Sequence, residues 1–198
     1  MRFHQLIQNA PGWKTLEDQT AFENPYLEVH LVNVATPQRP EGARWSVIHR
    51  KGACAVVPIT QEGNLVLVRQ ERIPVRADLW EFPAGQIDTS APHTPEIIRE
   101  TALRELQEET GYELAPGGEL TPMGKFFSSP GVTDEHTYLF CARPVALSPK
   151  GTHYDASEAI AGARAFTPKE FRDMIACGEI CDANTLSCFA RLTALGLI

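Results

Sequence analysis

Three glutamates near the middle of the chain have the spacing of a metal-binding carboxylate cluster. Glu105 precedes Glu108 by three residues and Glu109 by four, so a helix would place all three on one face, which we expect to be exposed. Like charges at this spacing repel unless a cation neutralises them, and Mg²⁺ prefers carboxylate oxygens. Arg104 lies four residues before Glu108 and could hold its carboxylate. An ordinary solvated helix face could carry the same residues, so the flanking segments must decide.

A predicted helix and the turn before it would position these carboxylates. Pro95 is typical of a helix start and Gly111 of a helix end. Apolar residues four apart predict the buried stripe of this helix: Ile98, Ala102 and Leu106. Upstream, a short strand over Leu79–Phe82 ends at a turn containing Gly85, where a residue without a side chain can bring the backbone close to the helix.

The remaining pattern predicts an α+β fold with a small β appendage. A turn is expected over Thr36–Arg44, and further helices should start at Thr167 and Asp182. The other predicted strands are Pro25–Val34, Trp45–Arg50, Ala53–Ile59, Leu65–Gln70, Gly124–Phe127 and His136–Ala142. We therefore expect an appendage over residues 1–50 and a main domain over residues 51–198.

Charge and cysteine content exclude several classes of protein. The net charge of −7 predicts neither a nucleic-acid nor a membrane partner, so a phosphate-bearing ligand would need local arginines or a metal. The cysteines are five, an odd number without a Cys-x-x-Cys pair, and are expected to be free thiols. No segment is long and apolar enough to span a bilayer, and the N-terminus has no signal-peptide pattern. We expect a cytoplasmic protein.

From Glu96 to Tyr112 the sequence resembles the Nudix box. That pattern is a glycine, five residues, a glutamate, seven residues, and then Arg-Glu-apolar-x-Glu-Glu-x-Gly-apolar. Every fixed position from Glu96 onward is matched, but ten residues rather than five separate Gly85 from Glu96. We interpret Asp88–Thr94 as a loop insertion, which leaves open whether Glu96 keeps its family role.

The resemblance implies a Nudix α/β/α sandwich with a mixed sheet, preceded by the small N-terminal antiparallel β appendage. It also implies a Mg²⁺ cofactor, with Mn²⁺ possible, that activates a water to attack a diphosphate. The implied metal ligands are the backbone carbonyl of Ala84 and the carboxylates of Glu105, Glu108 and Glu109. Arg104 and Glu108 are also assigned to the catalytic residues.

Two further segments resemble the ADP-ribose and nucleotide-sugar pyrophosphatase branch of that superfamily. They are an arginine-bearing strand with its Glu-x-Pro-Ala-Gly turn, Val66–Gly85, and a Ser-Pro-Gly loop, Ser128–Glu135; Glu71 departs from the branch, where an aromatic residue is usual. The likeness implies Glu135 as general base, on a loop that could swing over the diphosphate. An ordinary Pro-Gly turn with solvated Asp134 and Glu135 is the alternative.

The resemblance and the arginine positions also predict substrate contacts. The candidate substrate-binding residues are Arg72, Arg50, Trp45 and Glu81. Guanidinium groups suit phosphate and ribose oxygens. Trp45 could stack on an adenine or belong to the core. The branch forms homodimers in which the appendage reaches the partner's site, so a homodimer is expected.

The predicted function is Mg²⁺-dependent hydrolysis of a small-molecule nucleoside diphosphate derivative, with ADP-ribose cleaved to AMP and ribose 5-phosphate. One alternative is another nucleotide sugar such as GDP-mannose. A second is a catalytically silent Nudix module that senses a ligand. The turn sequence Phe82-Pro-Ala-Gly85 differs from the Phe-Pro-Gly-Gly of coenzyme A hydrolases, and the acidic chain disfavours RNA substrates.

Overall fold

The computed structural model describes residues 10–89, 93–154 and 159–198, which contain ten strands and three helices. The strands are β1 (Lys14–Glu23), β2 (Glu28–Thr36), β3 (Arg39–His49), β4 (Ala53–Thr60), β5 (Leu65–Arg72), β6 (Ala77–Glu81), β7 (Ala84–Gln86), β8 (Tyr112–Phe127), β9 (His136–Leu147) and β10 (Ile160–Phe166). The helices are α1 (Pro95–Thr110), α2 (Pro168–Ala176) and α3 (Ala183–Ala194). The predicted α+β class is confirmed.

The chain divides into two compact units. The first takes the described parts of residues 1–52, 88–93 and 127–136, and the second takes those of 53–87, 94–126 and 137–198. The boundary after residue 50 stays a prediction. Among the described residues, no helix is long and apolar enough to cross a membrane.

The first unit contains a three-stranded antiparallel sheet in the order β1-β2-β3. The turn predicted over Thr36–Arg44 is present but is confined to residues 37–38, because β3 already begins at Arg39, which pairs with Thr36. Pro40 and Gly42 suggested a turn, but β3 is an edge strand of this sheet, where proline and a bulge are tolerated. Sequence patterns missed β1 because all its residues are exposed, so it has no buried alternation.

The second unit is built on a mixed sheet in the order β10-β5-β4-β9-β8, with β6 paired to β5 and β7 to β4. Strand β4 runs parallel to β9 and antiparallel to β5 and β7. Alternate β4 residues pack on opposite faces: Cys54 and Val56 against α1, and Ala55 and Val57 against α2 and α3. This arrangement gives the predicted α/β/α layers.

Local signals fix the ends of α1, as predicted. The Thr94 side chain caps the N-terminus by accepting the Ile97 N–H, and Gly111 ends the helix at φ 72°, a left-handed conformation that suits glycine. The apolar stripe of the helix is buried, as expected: Ile98, Ala102 and Leu106. Helices α2 and α3 also begin at the predicted caps, Thr167 and Asp182.

The five cysteines are free. Cys54, Cys141 and Cys188 are buried, whereas Cys177 and Cys181 are exposed. Burial raises the pKa of Cys54 to about 12 and that of Cys141 to about 11. These two thiols therefore stay protonated near neutral pH and are unreactive core residues.

Candidate active site

Gly85 creates the space that the Glu105 carboxylate occupies. Gly85 lies in β7 and pairs with Cys54 of β4, and α1 packs against this strand. A Cβ atom built on Gly85 would fall 2.5 Å from Glu105 Oε2 and closer still to Oε1. Any side chain at this position would overlap the carboxylate, so the glycine is required by a close approach and not by a positive φ.

Glu109 is the most buried of the three clustered glutamates, with 1% of its surface exposed. The Ala84 N–H donates a hydrogen bond of 3.0 Å to Glu109 Oε2. Glu105 is also buried, whereas about a third (33%) of the Glu108 side chain is exposed. The expectation of an exposed carboxylate face is thus wrong for Glu105 and Glu109, because the β7 turn packs against this part of α1.

Arg104 forms ion pairs with two of the three carboxylates. Its Nη2 atom lies 2.5 Å from Glu105 Oε1, and its Nη1 donates to Glu108 Oε2 at 2.7 Å. In this side-chain arrangement, and within the described parts of the chain, no three His, Cys, Asp or Glu side chains are placed to hold a metal ion together. The predicted role of Arg104 in holding Glu108 agrees with these contacts.

The donor set nevertheless fits a hard divalent cation. Three carboxylates lie within five residues of α1, and Arg104 forms ion pairs with two of them, Glu105 and Glu108. Two of the carboxylates are buried, and a bound cation would stabilise their ionised form. Oxygen ligands of this type are those that Mg²⁺ prefers.

Arg72 and Glu81 form a two-pronged ion pair beside the cluster. Arg72 Nε donates to Glu81 Oε1 at 2.8 Å, and Nη2 donates to Oε2 at 2.5 Å. Burial raises the pKa of Glu81, and Arg72 opposes that shift. Because both Glu81 oxygens accept hydrogen bonds from Arg72, Glu81 fixes the direction of the Arg72 guanidinium, and 38% of the Arg72 side chain is exposed.

The predicted site residues of the first unit also come together. Arg50 Nε lies 3.0 Å from Glu135 Oε1, and Ser128 Oγ donates to Glu135 Oε2 at 2.8 Å. The Trp45 side chain is not in the core, since 54% of the residue is exposed, and its indole N–H donates to the Gly131 carbonyl.

Two nearby residues were missed in the sequence. The alternative expectation from the sequence was a solvated Asp134. Its side chain is instead only 9% exposed and contacts His49. The two residues are 85 positions apart, and no local pattern links them.

Glu96 lies in the first turn of α1. Glu96 is exposed, and hydrogen bonds from its own backbone N–H and from Thr94 lower its pKa. It therefore supports the helix start. In the insertion, Asp88 pairs with Lys51 at 2.5 Å, while residues 90–92 lie outside the described residues.

The fold and this site define a family. The model of the NUDIX domain family matches residues 49–186, and the chain belongs to the Nudix family. The crystal structure of an ADP compounds hydrolase has the same fold, with a TM-score of 0.74 and 18% identity over 97% of this chain and 100% of that chain. The predicted Nudix fold is thereby confirmed.

Among individual proteins, the chain is similar to the ADP-ribose pyrophosphatase of Bacillus subtilis (strain 168). The two are 30% identical over 172 residues, which cover 87% of this chain and 88% of the relative. It is also similar to a methanol dehydrogenase activator of Bacillus methanolicus, with 32% identity over 145 residues, 73% of this chain and 74% of the relative.

Proposed function

We propose that the protein hydrolyses the diphosphate bond of ADP-ribose in the presence of Mg²⁺, giving AMP and ribose 5-phosphate. The observation that carries the proposal is the carboxylate cluster packed on the Pro-Ala-Gly turn, with Glu105 and Glu109 buried and Glu108 beside them. The similarity to an ADP-ribose pyrophosphatase over 87% of the chain supports the choice of substrate.

Glu105, Glu108 and Glu109 would hold the divalent cation, together with the backbone carbonyl of Ala84, and Mn²⁺ is an alternative to Mg²⁺. When bound, such a cation offsets diphosphate charge and makes a water more acidic. Arg104 orients the Glu105 and Glu108 carboxylates through its two ion pairs.

Glu135 would act as the general base that accepts a proton from the attacking water. Its two carboxylate oxygens contact Ser128 and Arg50, so its side chain has a defined direction. Water adds to one phosphorus as the bond from that same phosphorus to the bridging oxygen breaks, and the other phosphate leaves with the bridging oxygen.

Arg72 is our main candidate for substrate recognition, because Glu81 fixes the direction of its guanidinium and the Arg72 side chain is partly exposed. Arg50 is the second candidate. The exposed Trp45 ring could stack on the adenine, since an indole and a base make a favourable contact.

Turnover of a small substrate panel tests the proposed function. We expect phosphate-coupled assays with Mg²⁺ to show a clear preference for ADP-ribose over GDP-mannose, UDP-glucose, a dinucleoside polyphosphate and coenzyme A, and EDTA to abolish the signal. A preference for another nucleotide sugar would retain the chemistry and change the recognition residues. Absence of turnover on the whole panel would favour the ligand-sensing module instead.

We further propose a cytoplasmic homodimer that associates through the appendage sheet. The free cysteines support a reducing compartment. Several large apolar side chains in and beside this sheet are exposed, as at many protein interfaces: Trp13, Leu16, Phe22, Leu31 and Trp45. Sedimentation velocity should give a dimer at micromolar concentration, and Leu31→Asp should shift it toward monomer. A wild-type monomer across that range would contradict the proposal.

A further inference from the structure

The loop over residues 128–135 is attached along β3, the edge strand of the appendage sheet. The Ile48 N–H donates to the Val132 carbonyl at 2.9 Å, and the Asp134 N–H donates to the Ile48 carbonyl at 3.4 Å. Ile48 and Thr133 form a parallel bridge. The loop therefore continues the hydrogen bonding of the sheet beyond its third strand.

The Asp134 side chain adds two contacts to the end of β3. One oxygen, Oδ1, accepts the Arg50 N–H at 3.1 Å, and the other, Oδ2, lies 2.6 Å from His49 Nδ1. The Asp134 and His49 side chains are 9% and 11% exposed. Polar contacts shielded from water in this way are stronger and more directional than exposed ones.

Glu135 follows Asp134 directly, at the end of the loop, and contacts Ser128 at the beginning of the loop. Its backbone carbonyl accepts the Ser128 N–H at 3.1 Å, and its carboxylate contacts Ser128 Oγ and Arg50 Nε. The Trp45 indole N–H donates to the Gly131 carbonyl at 2.8 Å in the middle of the loop. These contacts oppose the swinging motion that the sequence suggested.

We propose that Asp134 and His49 are positioning residues for Glu135, so that the appendage sheet sets the direction of the general base. The inference rests on the proposed function of Glu135. The Asp134 carboxylate accepts the backbone N–H of Arg50, and the Arg50 side chain contacts the Glu135 carboxylate. Asp134 therefore anchors the residue whose side chain holds Glu135, and its own backbone is directly next to Glu135. A displacement of a catalytic group by about 1 Å can lower a rate by about 10²-fold.

A double-mutant cycle tests this inference. The kcat and KM for ADP-ribose with Mg²⁺ would be measured for wild type, Asp134→Ala, Glu135→Gln and the double variant. We expect Glu135→Gln to lower kcat by about 10²-fold or more. Asp134→Ala should lower kcat by about 10- to 100-fold with little change in KM. In the Glu135→Gln background, Asp134→Ala should cost almost nothing further, because its effect acts through Glu135.

Two further variants separate positioning from general stabilisation. Asp134→Asn retains an oxygen for the Arg50 N–H, and we expect kcat between those of wild type and Asp134→Ala. Asp18→Ala removes another aspartate–histidine contact in the same sheet. Asp18 Oδ1 lies 2.5 Å from His30 Nδ1, and this contact joins β1 to β2. This control should leave kcat unchanged, and thermal melting would verify that each variant is folded.

Each outcome decides a separate point. Equal losses of kcat from Asp134→Ala in the wild-type and Glu135→Gln backgrounds would overturn the positioning role while leaving Glu135 as base. An Asp18→Ala loss as large as that of Asp134→Ala would also overturn it. Full activity of Glu135→Gln would remove the base assignment and the inference with it. Absence of wild-type turnover would overturn the proposed function, and with it the inference.

Discussion

Glu109→Gln is expected to lower kcat by about two to three powers of ten, with the fold preserved. The substitution keeps the side-chain volume, and the amide oxygen can still accept the Ala84 N–H. It removes one negative charge from the carboxylates that would hold the cation. A metal ion contributes several kcal/mol to transition-state stabilisation, and each ~1.4 kcal/mol corresponds to about tenfold in rate.

Steady-state kinetics and Mg²⁺ calorimetry would measure this effect. Without Mg²⁺, the melting temperature of Glu109→Gln should not fall below that of wild type, since one of several neighbouring like charges is removed. Glu100→Gln is a matched control because Glu100 is exposed on the same helix. It should retain wild-type kinetics. Wild-type kcat and Mg²⁺ affinity in Glu109→Gln would show that the metal site is assigned wrongly.

Gly85→Ala should reduce kcat by about 10²-fold through a purely steric effect. The added methyl group would overlap the Glu105 carboxylate, which is buried and paired with Arg104, so Glu105 must move. Overpacking of this kind typically costs about 1–3 kcal/mol of stability. A shift of about 1 Å in a site residue is enough for the expected loss in rate.

Thermal melting and kinetics on the same samples separate the two effects. Gly63→Ala provides the control: Gly63 has φ 85°, and an added Cβ atom would have nothing within 4 Å, so alanine would be strained without touching the site. We expect Gly63→Ala to lose stability and keep its kcat, and Gly85→Ala to lose both. If Gly85→Ala keeps wild-type kcat and Mg²⁺ affinity, the position of Glu105 is not critical to turnover.

Features that depend on neighbouring residues could be predicted from the sequence. The bounds of α1 were predicted from Pro95 and Gly111, and its buried stripe from the four-residue spacing. The box glutamates share this helix, and their spacing together with the flanking residues from Glu96 to Tyr112 predicted the Nudix family. Local conformation is fixed by propensities, caps and periodicity, which act within a few residues.

Features that depend on distant residues required the tertiary structure. Strand β1 has no buried side and therefore no pattern, and the Pro and Gly residues of β3 suggested a turn because edge pairing is not visible in the sequence. The exposure of Trp45 was equally undecided.

The geometry of the active site also depends on contacts between residues that are distant in the sequence. The spacing of the glutamates predicts a shared helix face, but the packing of β7 on α1 decides that Glu105 and Glu109 are buried. The contact of His49 with Asp134 joins residues 85 positions apart. Burial and long-range pairing depend on which surfaces meet when the chain folds, and short-range sequence patterns carry little information about that choice.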